Sequence, residues 1–212
     1  YGVVGGTYAL LAGDQLYGGT GQILSYEQQT GKQQFAWFPG KRLLVTPTTS
    51  YMLNDAGITA LDRVKYPEAS KQVTDAKFKR AKIVALRPKP ADLAQQLAAV
   101  DEEAKKGQAA VEACTLFRFD RPKLESMIVA GDTLFAGGAD EVLALDAKTG
   151  KQLWSAPVKG LVKGLAVADK RLLASLDNGG TACFAATPPP APASVSPAVA
   201  FPKDAMTPVY QR

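Results

Sequence analysis

The chain has 212 residues, 46% of them apolar, with 19 Gly, 14 Pro and a net charge of +5. That suits a turn-rich globular protein with one sizeable core or two small ones, and argues against a disordered chain. No apolar run approaches the roughly 18 residues needed to cross a bilayer, and there are no histidines and only two cysteines, Cys114 and Cys183. Zinc-type metal sites and Ser-His or Cys-His nucleophile pairs therefore lack their ligands and bases. Residue 1 is Tyr rather than Met, so the reading expects native sequence upstream, which is where a signal peptide would lie.

In chain order, the first repeated phrases are Ala12-Gly13-Asp14-Gln-Leu16-Tyr17 and Ser25-Tyr-Glu27-Gln-Gln-Thr30-Gly31-Lys-Gln-Gln-Phe35. A second copy opens at Tyr51-Met-Leu and reaches Ala60-Leu61-Asp62, after which Thr-Gly does not follow. The third copy is the fullest. It reads Ala130-Gly131-Asp132-Thr-Leu134-Phe135, then Ala144-Leu-Asp146-Ala-Lys-Thr149-Gly150-Lys-Gln-Leu-Trp154. The fourth runs Val167-Ala-Asp169-Lys-Arg-Leu172-Leu173, then Thr181-Ala182-Cys183-Phe184, placing Phe184 where the Asp belongs. Each copy alternates apolar runs with Gly, Asp and Asn, the pattern of short strands joined by tight turns. In the third copy the strands fall near 126–130, 133–137, 141–146 and 152–158. Four short antiparallel strands per unit of about 40 residues make one blade of a β-propeller. Asp146 is expected to bond amides two or three residues on, Gly150 to take positive φ, and Trp154 to pack between blades.

The equivalent positions 25, 60, 144 and 182 lie 35, 84 and 38 residues apart. The long interval implies an insertion of roughly 45–50 residues in the second blade, against the usual repeat length. Within it, Leu93, Leu97, Val100, Ala104 and Val111 follow a helical stripe, and Ala69, Val73, Ala76 and Ile83 a poorer one. Arg87-Pro-Lys-Pro90 separates the arms and blocks a continuous helix. The expectation is an antiparallel hairpin with helices at 68–86 and 91–112. Its basic first arm, which includes Lys77, Lys79, Arg80 and Lys82, would lie beside Asp101, Glu102 and Glu103. The strand Ala113-Cys-Thr-Leu-Phe-Arg-Phe119 then supplies the missing outer strand, with Phe117 standing in for Trp.

The spacing Ala-x-Asp-x-x-Thr-Gly-x-x-x-Trp at 144–154 resembles the tryptophan-docking repeat of quinoprotein-like (PQQ-like) β-propellers. That family includes pyrroloquinoline quinone dehydrogenases and outer-membrane assembly lipoproteins. The resemblance covers about 1–63 and 113–185. It implies an all-β fold: a propeller of four-stranded antiparallel blades, a partial ring of about 3.5 blades, with an inserted α-helical hairpin. The division is 1–63 for the first blade and part of the second, 64–112 for the hairpin, and 113–185 for the remaining blades. Residues 186–212, with Pro188-Pro-Pro190, Pro192, Pro197 and Pro202, read as a linker or tail. The family also implies a periplasmic or other extracytoplasmic location.

The family's enzymes hold a quinone with a Trp floor, a calcium bound by carboxylate and amide ligands, a catalytic Asp and often adjacent cysteines. Here the cysteines are far apart, Trp37 and Trp154 are placed as blade-packing residues, and Asp62 and Asp146 as turn caps. No residue is assigned a catalytic, cofactor-binding or metal-binding role. The cysteines fall on strands of different blades, which favours separate buried thiols over a disulfide. The basic residues come with no nucleic-acid-reading module. The reading is a non-catalytic scaffold or protein-interaction module, with the hairpin or an open propeller face meeting a protein partner. The alternative is a fragment of a quinone-dependent oxidoreductase whose cofactor site lies outside this chain. Rings of this repeat usually close at seven or eight blades, so completion by further sequence or another chain is expected.

Overall fold

The computed structural model describes residues 9–18 and 22–186. The side chains of Phe35 and Trp37, the glycines at 5, 6 and 19, and the proline-rich segment beyond 186 lie outside the described residues. The first sheet is antiparallel in the order β1 (Ala9–Ala12), β2 (Gln15–Gly18), β3 (Gln22–Glu27), β4 (Gln33–Pro39). The second follows with β5 (Arg42–Val45), β6 (Thr49–Leu53), β7 (Gly57–Asp62) and β8 (Thr115–Asp120). Between β7 and β8 the chain leaves as α1 (Tyr66–Ala85) and returns as α2 (Leu93–Ala113). β8 still pairs with β7, Ala60 opposite Phe117 and Gly57 opposite Asp120.

The remaining strands are β9 (Leu124–Ala130), β10 (Thr133–Asp146), β11 (Gln152–Ala168), β12 (Arg171–Leu176) and β13 (Thr181–Ala185), paired in the order β13-β12-β11-β10-β9. β10 and β11 are two to three times longer than the expected strands, because each serves twice. Fully extended, β10 would span roughly 45 Å, yet the Ala147 N–H donates to the Asp132 carbonyl at 2.9 Å. β10 therefore folds back on itself, turning where Asp140 takes φ 61°. The bond repeats that of Gln28 N–H to Asp14 carbonyl, also 2.9 Å, in the first sheet. One arm of β10 pairs with β9 (Thr133 with Ala130) and the other with β11 (Ala144 with Trp154). β11 in turn pairs with β10 up to Leu161, opposite Ala139, and with β12 from Val162. The result is three four-stranded blades and a three-stranded fourth among the described residues, bearing an inserted helical hairpin.

Alternation along the strands buries both faces of the second blade. Tyr51, Leu53, Ile58 and Ala60 pack with Leu134, Leu143 and Leu145 of the third blade, with Phe117 alongside. Leu43, Met52 and Leu61 point the other way, to Tyr17 and Ile23 of the first. The third and fourth blades meet through Val142, Val162, Leu172 and Ala174. Two polar links cross these apolar seams. The buried Tyr51 hydroxyl donates to the Ala147 carbonyl at 2.8 Å, and the Ser126 hydroxyl to the Val162 carbonyl at 3.1 Å.

The repeated turn has the expected bonding. Asp146 Oδ1 accepts from the amides of Lys148 (3.0 Å) and Thr149 (2.7 Å) and from the Thr149 hydroxyl (2.8 Å). Gly150 follows at φ 71°. In the first blade Glu27 accepts from the Thr30 hydroxyl, with Gly31 at φ 67°. In the second, Asp62 accepts from the amides of Val64 (3.0 Å) and Lys65 (3.1 Å), so the same bond turns the chain into α1.

The bond from the Thr149 hydroxyl, then those from the amides, hold the Asp146 carboxyl below its usual pKa. A carboxyl with a lower pKa folded than unfolded stabilises the fold above the unfolded value of about 3.9, and that contribution is lost as pH falls through the folded value. Asp146→Asn should therefore lower the unfolding midpoint at pH 7. The gap from the parent should narrow as pH drops from 5 to 2, as followed by urea titration.

Two expectations on the fourth blade need correction. Register pairs Arg171 with Ala185, where the third blade has Thr133 beside Asp146. Ala185, not Phe184, thus occupies the Asp position, and Phe184 corresponds to Leu145. Cys183 is also exposed rather than buried, because it lies on the face of β13 turned away from the third blade.

Candidate interaction surfaces

The hairpin is rooted in the propeller by its two ends. Tyr66, Ala69 and Cys114 are buried with Tyr17, Leu43 and Leu61, and Ala110 and Val111 pack against them. Pro67 suits the first turn of α1, where its missing N–H has no intrahelical partner to lose. Farther out, Gly107 is buried where the helices meet: a Cβ there would lie 3.0 Å from Val73 Cγ2 and 3.1 Å from Val73 N. Ala76 and Val100 continue the seam. Lys79 pairs with Glu103 at 2.7 Å and Arg80 with Asp101 at 2.8 Å, as the charge pattern implied, while Glu102 pairs with Lys105 at 3.7 Å. Such exposed pairs are worth roughly 0–1 kcal/mol each, so they set the register of the arms more than they hold them together.

Opposite the buried stripe of Ala69 and Ala76, α1 presents Lys71, Asp75, Phe78 and Lys82 at helical spacing. Phe78 is 65% exposed. At the far end Val84 and Leu86 are also exposed, and Arg87 donates to their carbonyls at 3.1 and 2.7 Å. Cations at a helix C-terminus satisfy its last carbonyls and complement its dipole. Single exposed apolar residues are ordinary. Phe78 stands near the middle of an arm roughly 30 Å long, with Lys71, Asp75 and Lys82 on the same face. Sequence reading passed over Phe78, which breaks the apolar stripe; its position at the opposite phase of the helix was the available signal.

The second surface is a cleft of about 790 Å³ between the third and fourth blades. Phe135, Ala144 and Trp154 form one wall, Val167, Leu172 and Phe184 the other. Trp154 meets Phe184 edge-on with ring centroids 5.1 Å apart, packing between blades as expected, but stays 37% exposed. The equivalent residue of the second blade, Phe117, is seated against the Gly150 turn: a Cβ on Gly150 would lie 2.3 Å from Phe117 Cδ2.

Cys114 has the character of a packed thiol. Its Sγ donates to the Ala110 carbonyl at 3.2 Å, and burial pushes its pKa up, away from a reactive thiolate. Both cysteines are free. Among the described residues no group of three Cys, Asp or Glu side chains is placed to hold a metal ion. No described helix is long and apolar enough to cross a membrane.

A PQQ-type repeat family, described as "Outer membrane protein assembly factor BamB", matches residues 94–187, which run from α2 through the third and fourth blades. No curated protein matches the chain. Among solved structures, BamB from Moraxella catarrhalis is similar at 17% identity, over 85% of this chain and 42% of that one, with a TM-score of 0.52. The computationally designed Ika4 protein is similar at 10% identity, over 87% of this chain and 93% of that one, with a TM-score of 0.55. A chain of a mitotic checkpoint complex matches at 9% identity, over 86% of this chain and 50% of that one, with a TM-score of 0.53. This chain thus spans less than half the length of the BamB chain it resembles. The matched segment carries PQQ-like repeats, and the fold is that of a β-propeller.

Proposed function

We propose that the chain is a non-catalytic propeller scaffold, working outside the cytoplasm, that presents its helical hairpin to a protein partner. The observation that carries this reading is that β7 and β8 keep their pairing across the whole helical excursion. The blade closes without the hairpin, whose outer half is buried only where one arm meets the other. Such a projection makes physical sense if its exposed face, centred on Phe78 between Lys71 and Lys82, has a use. The match of residues 94–187 to an outer-membrane assembly factor family supports the extracytoplasmic placement.

The test has two arms. Replacing 64–113 with a short turn should leave a cooperative unfolding transition and strand content by circular dichroism. A photo-crosslinking amino acid at position 78, in the native host, should give one discrete protein adduct that Lys71→Glu/Lys82→Glu abolishes. Loss of the fold on excision, or no adduct from position 78, would contradict the proposal.

A further inference from the structure

The chain shows in its own joints how one blade seats the next. Between the second and third blades, the cross-strand row Leu44, Tyr51, Ala60, Phe117 lies against the row Val129, Leu134, Leu145. The forward face of one blade thus meets an aliphatic row on the rear face of its successor. Leu134 and Leu145 are fully buried there.

The two ends of the arc carry the same two rows. On the rear face of the first blade, Leu11, Leu16 and Tyr26 stand in one cross-strand row. They are the counterparts of Val129, Leu134 and Leu145, because the Gln28–Asp14 bond matches the Ala147–Asp132 bond. On the forward face of the fourth blade, Ala166, Leu173 and Cys183 form the counterpart of Leu44, Tyr51 and Ala60. Leu11 and Leu16 are 53% and 38% exposed and Leu173 is 37% exposed, so the two rows do not seat on each other within one chain. Each fits the opposite end of a second copy, by the rule that the internal joints already follow. Such a head-to-tail contact closes when its rotations complete a turn. Two arcs of four blades then make a ring of about eight, within the usual range for propellers, with two identical apolar joints.

We propose that two copies of this chain close one ring, the Ala166–Leu173–Cys183 row of each seated on the Leu11–Leu16–Tyr26 row of the other. The joint forms by mass action, so a dilute chain leaves Leu173 exposed and a concentrated one covers it. It is independent of the hairpin and of the partner proposed for the hairpin.

The experiment measures the mass of the full chain in solution by light scattering over a range of concentrations. The mass should rise to a plateau at twice that of one chain. Leu16→Glu and Leu173→Glu, at exposed positions, should each raise the dissociation constant roughly tenfold or more, because a carboxylate in an apolar joint lacks a partner. Phe78→Glu on the hairpin should leave it unchanged. A second measurement does not depend on those variants. In Leu16→Cys, a short bis-maleimide should bridge the new thiol to the exposed Cys183 of the other copy, and the covalent product should stop at two copies. A monomer at every concentration overturns the proposal, as does a dimer that Leu16→Glu and Leu173→Glu leave intact. Dissociation by Phe78→Glu would place the contact on the hairpin instead, and a covalent ladder beyond two copies would show an open chain rather than a closed ring; either result also overturns it.

Discussion

Gly150→Ala should destabilise the protein by about 2–5 kcal/mol. Two costs combine. Gly150 sits at φ 71°, where an L side chain costs roughly 1–2 kcal/mol. The new Cβ would also fall 2.3 Å from Cδ2 of Phe117, and such overpacking costs typically about 1–3 kcal/mol. The Phe117 ring is held by its own packing beside Tyr51, with centroids 6.3 Å apart, so it cannot simply swing away. Denaturant midpoints of the single and double variants separate the two costs. Gly150→Ala/Phe117→Ala should lose less than the sum of its parts, by roughly the 1–3 kcal/mol of the clash. Strict additivity would mean that the ring and the turn do not meet.

Leu145→Ala should cost about 2–5 kcal/mol through lost transfer energy and the cavity left behind, since Leu145 is fully buried in the cluster between the second and third blades. The comparison is Leu173→Ala. Leu173 is 37% exposed, on the face of the fourth blade turned away from the third. In this chain that change should stay within about 0.5 kcal/mol, as for surface positions generally. The same pair measured in the native host, by thermal shift in lysate, reports on that outer face. A loss at Leu173 comparable to that at Leu145 would mean that the face is covered there, by further sequence or by another chain.

The turn motif was legible because its bonds close within a few residues. Asp146 reaches Lys148 and Thr149 without help from the rest of the molecule, so spacing alone reveals it. The hairpin was legible for a related reason: a helix is set by near neighbours, and the interval of 84 residues between repeats announced its insertion. The helices begin and end within two residues of the expected bounds, and Phe117 does take the docking position against Gly150. By themselves, then, the residues determined the blade repeat, the inserted hairpin, the charged pairing of its arms and the absence of histidine chemistry.

Tertiary structure alone decided the rest, because those features depend on what covers what. Phe184 was assigned one position off since no Thr-Gly follows it to mark the register; only the Arg171–Ala185 pairing sets it. Cys183 alternates along β13 with half-buried Ala182 and Phe184, and its exposure turns on whether anything lies against the outer face of β13, a long-range fact that strand alternation cannot encode. The doubled strands β10 and β11 arise where Asp140 and Gly160, at φ 61° and 128°, bend extended chain without breaking it, where local spacing implied separate strands. Whether Phe78 faced a partner helix or solvent, and whether Trp154 was sealed or open, depended on the relative placement of whole elements. That placement is settled by burial summed over many distant contacts, which no short window of sequence contains.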